Sequence, residues 1–292
     1  LDLEAIGQTI KNMRKQNGFS QGDLAKGVCT QALISRIEKG QVLPNGNVLY
    51  HIAGKLGIDV NYLFEIGLMP RLDYVKEVER QLKILRRSFQ YEEMLDIVKV
   101  EEKNPLFTSN KRNLQLLLWH KGVYQLEVLK EFQQALGTLQ KALNLTQDED
   151  KVWTEQEINI SISIGTIYFN NHRNEEALKC YREVQENIES MPYLTDITIK
   201  SKLLYLIARV LTRFEKLDES SRYCLKGIQW CVEHDSLYML GELHYNIGYN
   251  YELQEDFHQA KRYLEKALII FELQHDDKYI AFIKEKIEKW SN

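Results

Sequence analysis

Proline and glycine are scarce: four prolines and fifteen glycines in 292 residues are too few chain breakers for a protein of many short strands and turns. Long stretches follow a helical period and β-branched runs are few, so the sequence predicts an all-α chain. Cysteine is scarce as well. Cys29, Cys180, Cys224 and Cys231 show no CxxC spacing, which excludes a disulfide framework or zinc ribbon and leaves reduced, structural thiols. No apolar run approaches the ~20 residues that span a bilayer, and no signal-peptide pattern opens the chain. The expectation is a soluble, cytoplasmic protein with no membrane partner. Missing too are an HExxH pair, a GxSxG elbow and a phosphate-cradling glycine loop. The seven histidines are scattered, so no catalytic residue, metal ligand or cofactor is expected. Nor is there an excess of positive charge, since the net charge is −4; any nucleic-acid binding must be local in origin.

What is present is apolar enough to fold, at 44%, and long enough for more than one core. Residues 1–66 carry seven Lys and Arg against six Asp and Glu, and the remainder 31 against 36. The first segment therefore differs in charge from the rest. Within it, Leu3, Ile6, Ile10 and Met13 recur at helical spacing up to a stop at Gly18. Ser20 and Asp23 form an acidic capping box for a second helix, from which Leu24 and Val28 face inward. Thr30 caps a third, whose buried stripe is Leu33, Ile34 and Ile37. Val48, Leu49, Ile52, Ala53 and Leu56, then Leu63 and Phe64, complete five short helices around one small core.

A short second helix, a tight connection and a third helix with a polar face at its N-terminus form the arrangement of a helix-turn-helix. Gln and Arg on such a face can each make paired bonds to a purine edge, worth ~1–3 kcal/mol of discrimination. The stretches "FSQGDLAKGV", "ISRIEKGQVLP" and "IAGKLGI" resemble the Xre/Cro-type DNA-binding domain over nearly all of residues 3–66. The resemblance implies that Gln21 contacts a phosphate, that Gln31, Ala32, Ser35 and Arg36 face the major groove, and that Thr30 and Lys39 approach the backbone. It also implies an internal ion pair between Arg14 and Glu38. Ala32 stands where a polar residue is common, which leaves Gln31, Ser35 and Arg36 to read bases. With so little net charge one copy should bind weakly, and a dimer on a double-stranded operator with two half-sites is the expected remedy.

After "GLMPRLD" (67–73) the chain becomes self-similar. Gly165, Tyr168, Ala177, Tyr181 and Val184 set the pattern, and Gly248, Tyr251, Ala260, Leu264 and Ala267 repeat its steps. Looser copies run through Val123, Leu126, Ala135, Leu139 and Ala142, and through Ala208, Leu211, Ser220, Cys224 and Gly227. A degraded one begins at Leu82. Small residues facing large ones are what closely packed antiparallel helices need, and the pattern resembles the tetratricopeptide repeat. The intervals are 41, 42, 43 and 40 residues, longer than that family's period of about 34. The prediction is a right-handed superhelix of about five helix pairs with "DDKYIAFIKEKIEKW" as a capping helix. The domain reading is 1–66 for the helix-turn-helix, 67–76 for a linker and the start of a linker helix, and 77–292 for a sensing and dimerisation domain.

Projecting the first helix of each pair by helical spacing puts three groups toward a concave face: Lys83, Arg86 and Arg87; His120 and Tyr124; and Asn159, Ile162 and Thr166. It adds Lys202, Tyr205 and Arg209, then Glu242, Tyr245 and Tyr249, with Tyr279 from the cap. Aromatic, cationic and amide groups in one groove suit a short extended peptide.

With "NYLFE" and "QYEEMLDIV" following "SRIEKG", the whole chain resembles the PlcR-like quorum-sensing regulators of Gram-positive bacteria. That resemblance implies a homodimer built through the repeats, a re-imported signalling peptide in the groove, and peptide-driven repositioning of the DNA-binding domains, with activation as the expected outcome. Asparagines that hold the peptide backbone in that family align with Ile162 and Leu206 here, and Asn159 and Asn246 lie about a turn away. The alternative is a DNA-binding regulator whose repeats hold a protein partner and not a free peptide.

Overall fold

The computed structural model describes residues 1–68, 71–148 and 152–289. Every regular element among these is a helix, and the chain divides into two compact units. The first comprises Leu1–Gln90 with Asn104–Leu106, and the second Tyr91–Lys103 with Phe107–Asn292.

The first unit opens with five short helices: α1 (Leu3–Gln16), α2 (Gln21–Ala25), α3 (Gln31–Glu38), α4 (Gly46–Leu56) and α5 (Val60–Leu68). Side chains close their starts. Asp2 accepts from Ala5 N–H, Thr30 from Leu33 and Asn45 from Val48, while Ser20 and Asp23 form a reciprocal capping box. α2 is five residues long because Gly27, at φ 75°, turns the chain out of the helix. Ile6, Ile10, Leu24, Ile34, Ile37, Leu49, Ile52 and Leu63 fill the core. α1 and α3 meet at Gly7, where a Cβ would lie 2.2 Å from the Ile37 carbonyl oxygen; any larger residue would force the two helices apart. The longer α6 (Leu72–Arg87) belongs to this unit. The sequence reading places this helix largely with the repeats.

The second unit contains α7 (Tyr91–Glu101) and, past the single turn α8 (Pro105–Thr108), a ladder of antiparallel pairs. These are α9 (Lys111–Glu127) with α10 (Phe132–Asn144), α11 (Glu155–Asn170) with α12 (Asn174–Ser190), α13 (Thr198–Arg213) with α14 (Leu217–Glu233), and α15 (Leu240–Leu253) with α16 (Phe257–Gln274). Each second helix also packs on the next pair's first, and α17 (Asp277–Lys289) closes the end against α16. The small-against-large rule is met within pairs. A Cβ on Gly165 would lie 2.3 Å from the buried ring of Tyr181, and one on Gly248 would touch Leu264. In the first pair the close approach is Gly122 against Leu139, not the Val123 that the repeat pattern singled out. The cause is the α9–α10 connection, which spans residues 128–131, one residue longer than the three-residue turns of the other pairs.

Candidate DNA-reading helix and ligand-binding helix face

On α3 the buried stripe is Ile34 and Ile37. It leaves Gln31, Ala32, Arg36 and Lys39 exposed and Ser35 half-buried on the opposite side. Thr30 sits exposed at the N-cap, its hydroxyl holding the Leu33 amide at 3.2 Å. The side chains that could reach base edges thus start at the helix N-terminus, where backbone amides also favour an anion such as phosphate.

The angle of this helix is held from beneath. Arg14 of α1, largely buried, donates Nε to Glu38 Oε1 at 2.5 Å, Nη2 to Oε2 at 3.1 Å and Nη1 to the Phe19 carbonyl at 2.7 Å. Gln21 donates to the same Glu38 carboxylate at 2.9 Å. One of the two N–H donors on the side chain expected at a phosphate is thus spent on Glu38, and the Arg14–Glu38 pair is as the resemblance implied. Burial raises the Glu38 pKa, but the bonds from Arg14 and Gln21 outweigh it and hold the group below the usual carboxylate range. From α4, Lys55 Nζ donates to the carbonyls of Asp23, Leu24 and Lys26 at 2.9, 3.2 and 2.5 Å, a cationic cap on the C-terminal end of α2.

In the second unit the projected residues separate into two classes. Several are unavailable to a ligand. Ile162 is 0% exposed in the core between α11 and α13, His120 is buried with Nδ1 against the Leu116 carbonyl, and Asn246 is buried. Asn246 donates to Ser220 at 3.0 Å and lies within bonding distance of Thr212 and Cys224. It therefore ties α15 to α13 and α14, where a free amide for a peptide backbone was expected. These helices have neighbours on both sides, so they bury a wider arc than single-face projection assumes.

The others are half-buried. Asn159 donates to the Glu155 carbonyl, and Thr166 bonds the Ile162 carbonyl and the Tyr181 hydroxyl. Tyr124 donates to the Glu92 carboxylate on α7 at 3.0 Å. Arg209 lies 4.5 Å from the Phe169 ring centre and 5.5 Å from that of Tyr205. The Tyr205 hydroxyl is pushed up chiefly by burial; Arg209 opposes the shift, while Tyr279 and Glu242 add to it. Tyr279 is raised by burial and by Glu242, and it stacks on Phe271 with ring centres 4.6 Å apart. Tyr205, Arg209, Glu242 and Tyr279 thus share one electrostatic neighbourhood. Tyr245 and Tyr249 stack at 6.4 Å, and Lys286 of α17 lies 4.9 Å from the Tyr249 ring centre and pairs with Glu252 at 2.5 Å. Lys202 is half-buried on α13. Lys83, Arg86 and Arg87, also half-buried, lie on α6 and hence in the first unit.

The sequence reading missed Phe169, which also carries Arg213 over its ring at 3.6 Å, and the Lys286, Glu252 and Phe282 group. Phe282 and Lys286 stand four residues apart on the cap helix, a spacing that puts them on one face. Burial pushes the Cys224 thiol up to about 12 and Cys231 to about 11, so both stay protonated and inert near neutrality. Among the described residues no helix is long and apolar enough to cross a membrane.

Comparison with known proteins places both units. Residues 10–63 match a helix-turn-helix model. Bacillus thuringiensis PlcR in complex with the peptide PapR7 and DNA superposes with a TM-score of 0.89 at 24% identity, covering 96% of this chain and 99% of that one. ComR from S. thermophilus in complex with DNA and its signalling peptide ComS gives 0.68 at 16%, covering 97% and 99%. The Streptococcus dysgalactiae SHP pheromone receptor Rgg2 gives 0.62 at 16%, with the same coverages. At these identities the likeness establishes the shared fold. No curated protein sequence matches. Residues 79–291 match the RNPP family C-terminal domain, and the chain belongs to the RNPP family.

Proposed function

We propose that this chain is a sequence-specific transcriptional regulator whose repeat unit binds a short signalling peptide and whose DNA binding responds to that peptide. The observation that carries the reading is the pairing, in one RNPP chain, of an outward polar α3 face with a half-buried aromatic and charged face on α11, α13 and α15. Solved relatives of the same fold hold DNA and a signalling peptide together. Gln31, Ser35 and Arg36 read base edges, while Thr30, Lys39 and the amides at the start of α3 approach the backbone. Two copies place two such helices on an operator with two half-sites, because one domain with near-balanced charge binds DNA too weakly alone. Peptide binding favours one arrangement of the repeat unit and with it one spacing of the two reading helices, a population shift with activation as its outcome.

In vitro selection from random DNA duplexes tests the reading. Wild-type protein should enrich a two-fold symmetric sequence and Arg36→Ala should lose discrimination at one position of each half-site. Enrichment of the same sequence by both proteins would mean that α3 is not the reading helix.

A further inference from the structure

One carboxylate on the repeat unit's candidate face is only half satisfied by the fold. Glu242 lies in the first turn of α15, largely covered, and its Oε2 is buried without a hydrogen-bond partner. Among the described residues no lysine or arginine forms an ion pair with it. Burial drives the carboxyl's pKa up, with the like charge of Asp276 adding to it, against the single bond that the group receives from its own backbone N–H. Aromatic rings lie near the position. Gly241 lets the Phe271 ring lie against the backbone, where a Cβ would be 2.8 Å from it, and Phe271 carries the stacked Tyr279. Tyr205, on α13, is close enough for its hydroxyl to respond to the Glu242 charge.

Two other buried acids are answered within the fold. Glu38 has Arg14 and Gln21, and Glu157 accepts from Thr146 and Thr154. Arg209, the cation on the same face, rests on the Phe169 and Tyr205 rings and is thereby partly satisfied. A buried acceptor without a partner calls for an explanation, and a covered carboxylate beside aromatic rings is what binds a cation.

We infer that Glu242 anchors an ammonium group brought by the ligand, either a lysine side chain or the free N-terminus of a short peptide, between Tyr205 and Tyr279. This rests on the reading of the repeat unit as a peptide receptor and specifies the chemistry of its ligand. It makes Glu242 a specificity determinant whose cost to the unliganded protein is offset only on binding.

The test uses the full chain and positional heptapeptide pools in which each position in turn is fixed as Lys, norleucine or Glu, in free and N-acetylated forms. Retention is measured by equilibrium dialysis and mass spectrometry on wild type and Glu242→Gln, and both proteins are melted without peptide. Wild type should retain Lys pools at one position, or free over acetylated pools, at least tenfold better than the neutral counterparts. Which of the two preferences appears identifies the source of the ammonium. Glu242→Gln should lose the preference and melt no lower than wild type. Pools retained by wild type without any cation preference would overturn the inference while leaving the receptor intact, as would a Glu242→Gln protein that melts lower but keeps the same selectivity. Retention of no pool by either protein would defeat the peptide-receptor reading itself, and the inference with it.

Discussion

Replacing Glu38 by alanine removes the acceptor of three bonds, from Arg14 Nε, Arg14 Nη2 and Gln21 Nε2, and leaves a guanidinium held only by the Phe19 carbonyl. The pair is buried, with side-chain exposures of 11% for Arg14 and 3% for Glu38. Breaking a buried pair from one side costs about 3–5 kcal/mol, because the remaining charge is stranded. Against a net stability of about 5–15 kcal/mol for a whole domain, that loss leaves the first unit marginal. Hydrogen exchange read by mass spectrometry on α1 and α3 peptides of the full chain measures the change locally. Exchange there should accelerate by about two to four orders of magnitude, with operator affinity falling in parallel, while α13–α16 keep their protection. The double variant Arg14→Met, Glu38→Leu should recover most of the loss, since a hydrophobic pair of similar volume strands no charge. Acceleration of less than about fivefold in Glu38→Ala, equivalent to roughly 1 kcal/mol, would refute the claim that this network sets α3.

Because the Glu38 pKa is lowered in the folded state, its contribution to stability is complete above the ordinary carboxylate value of about 4.3 and is lost as pH falls through the folded value; Glu38→Gln should flatten acid unfolding of the first unit there. Lys55→Met should remove the cap on α2, costing about 0.3–1 kcal/mol by exchange at residues 21–28 and weakening operator binding, with Lys55→Arg partly restoring both. Gly165→Ala drives a methyl into the fully buried Tyr181 ring and should lower the thermal midpoint by the equivalent of about 1–3 kcal/mol. Gly137→Ala, which meets open space on α10, should instead raise stability by up to about 1 kcal/mol.

Local signals carried most of the fold. Caps at Ser20 and Thr30, the turn at Gly18 and the apolar stripes of α1, α3 and α4 are properties of short segments, and the sequence states them directly. The repeat pattern was legible for the same reason, because Gly165 and Tyr181 must fit each other whatever surrounds them. Its register failed by one residue at Gly122 because a single extra residue in a connection shifts one helix against the next without altering either helix's own pattern. The candidate ligand face was the hardest to read. Ile162 and Asn246 occupy plausible helical positions, yet the second neighbouring pair buries them, and that depends on stacking angles no periodicity encodes. The bond from Gln21 to Glu38, seventeen residues on, is likewise invisible to local pattern.

The central claim is that DNA binding answers to a peptide. Fluorescence anisotropy of a labelled duplex carrying the sequence enriched by in vitro selection, titrated with the full chain alone and with each retained heptapeptide pool, tests it most directly. The account predicts that one class of peptide changes operator affinity severalfold or more, and that Arg36→Ala loses the operator while still retaining that peptide. Operator affinity identical with and without every retained peptide would contradict it, leaving a DNA reader whose repeat unit serves some other partner.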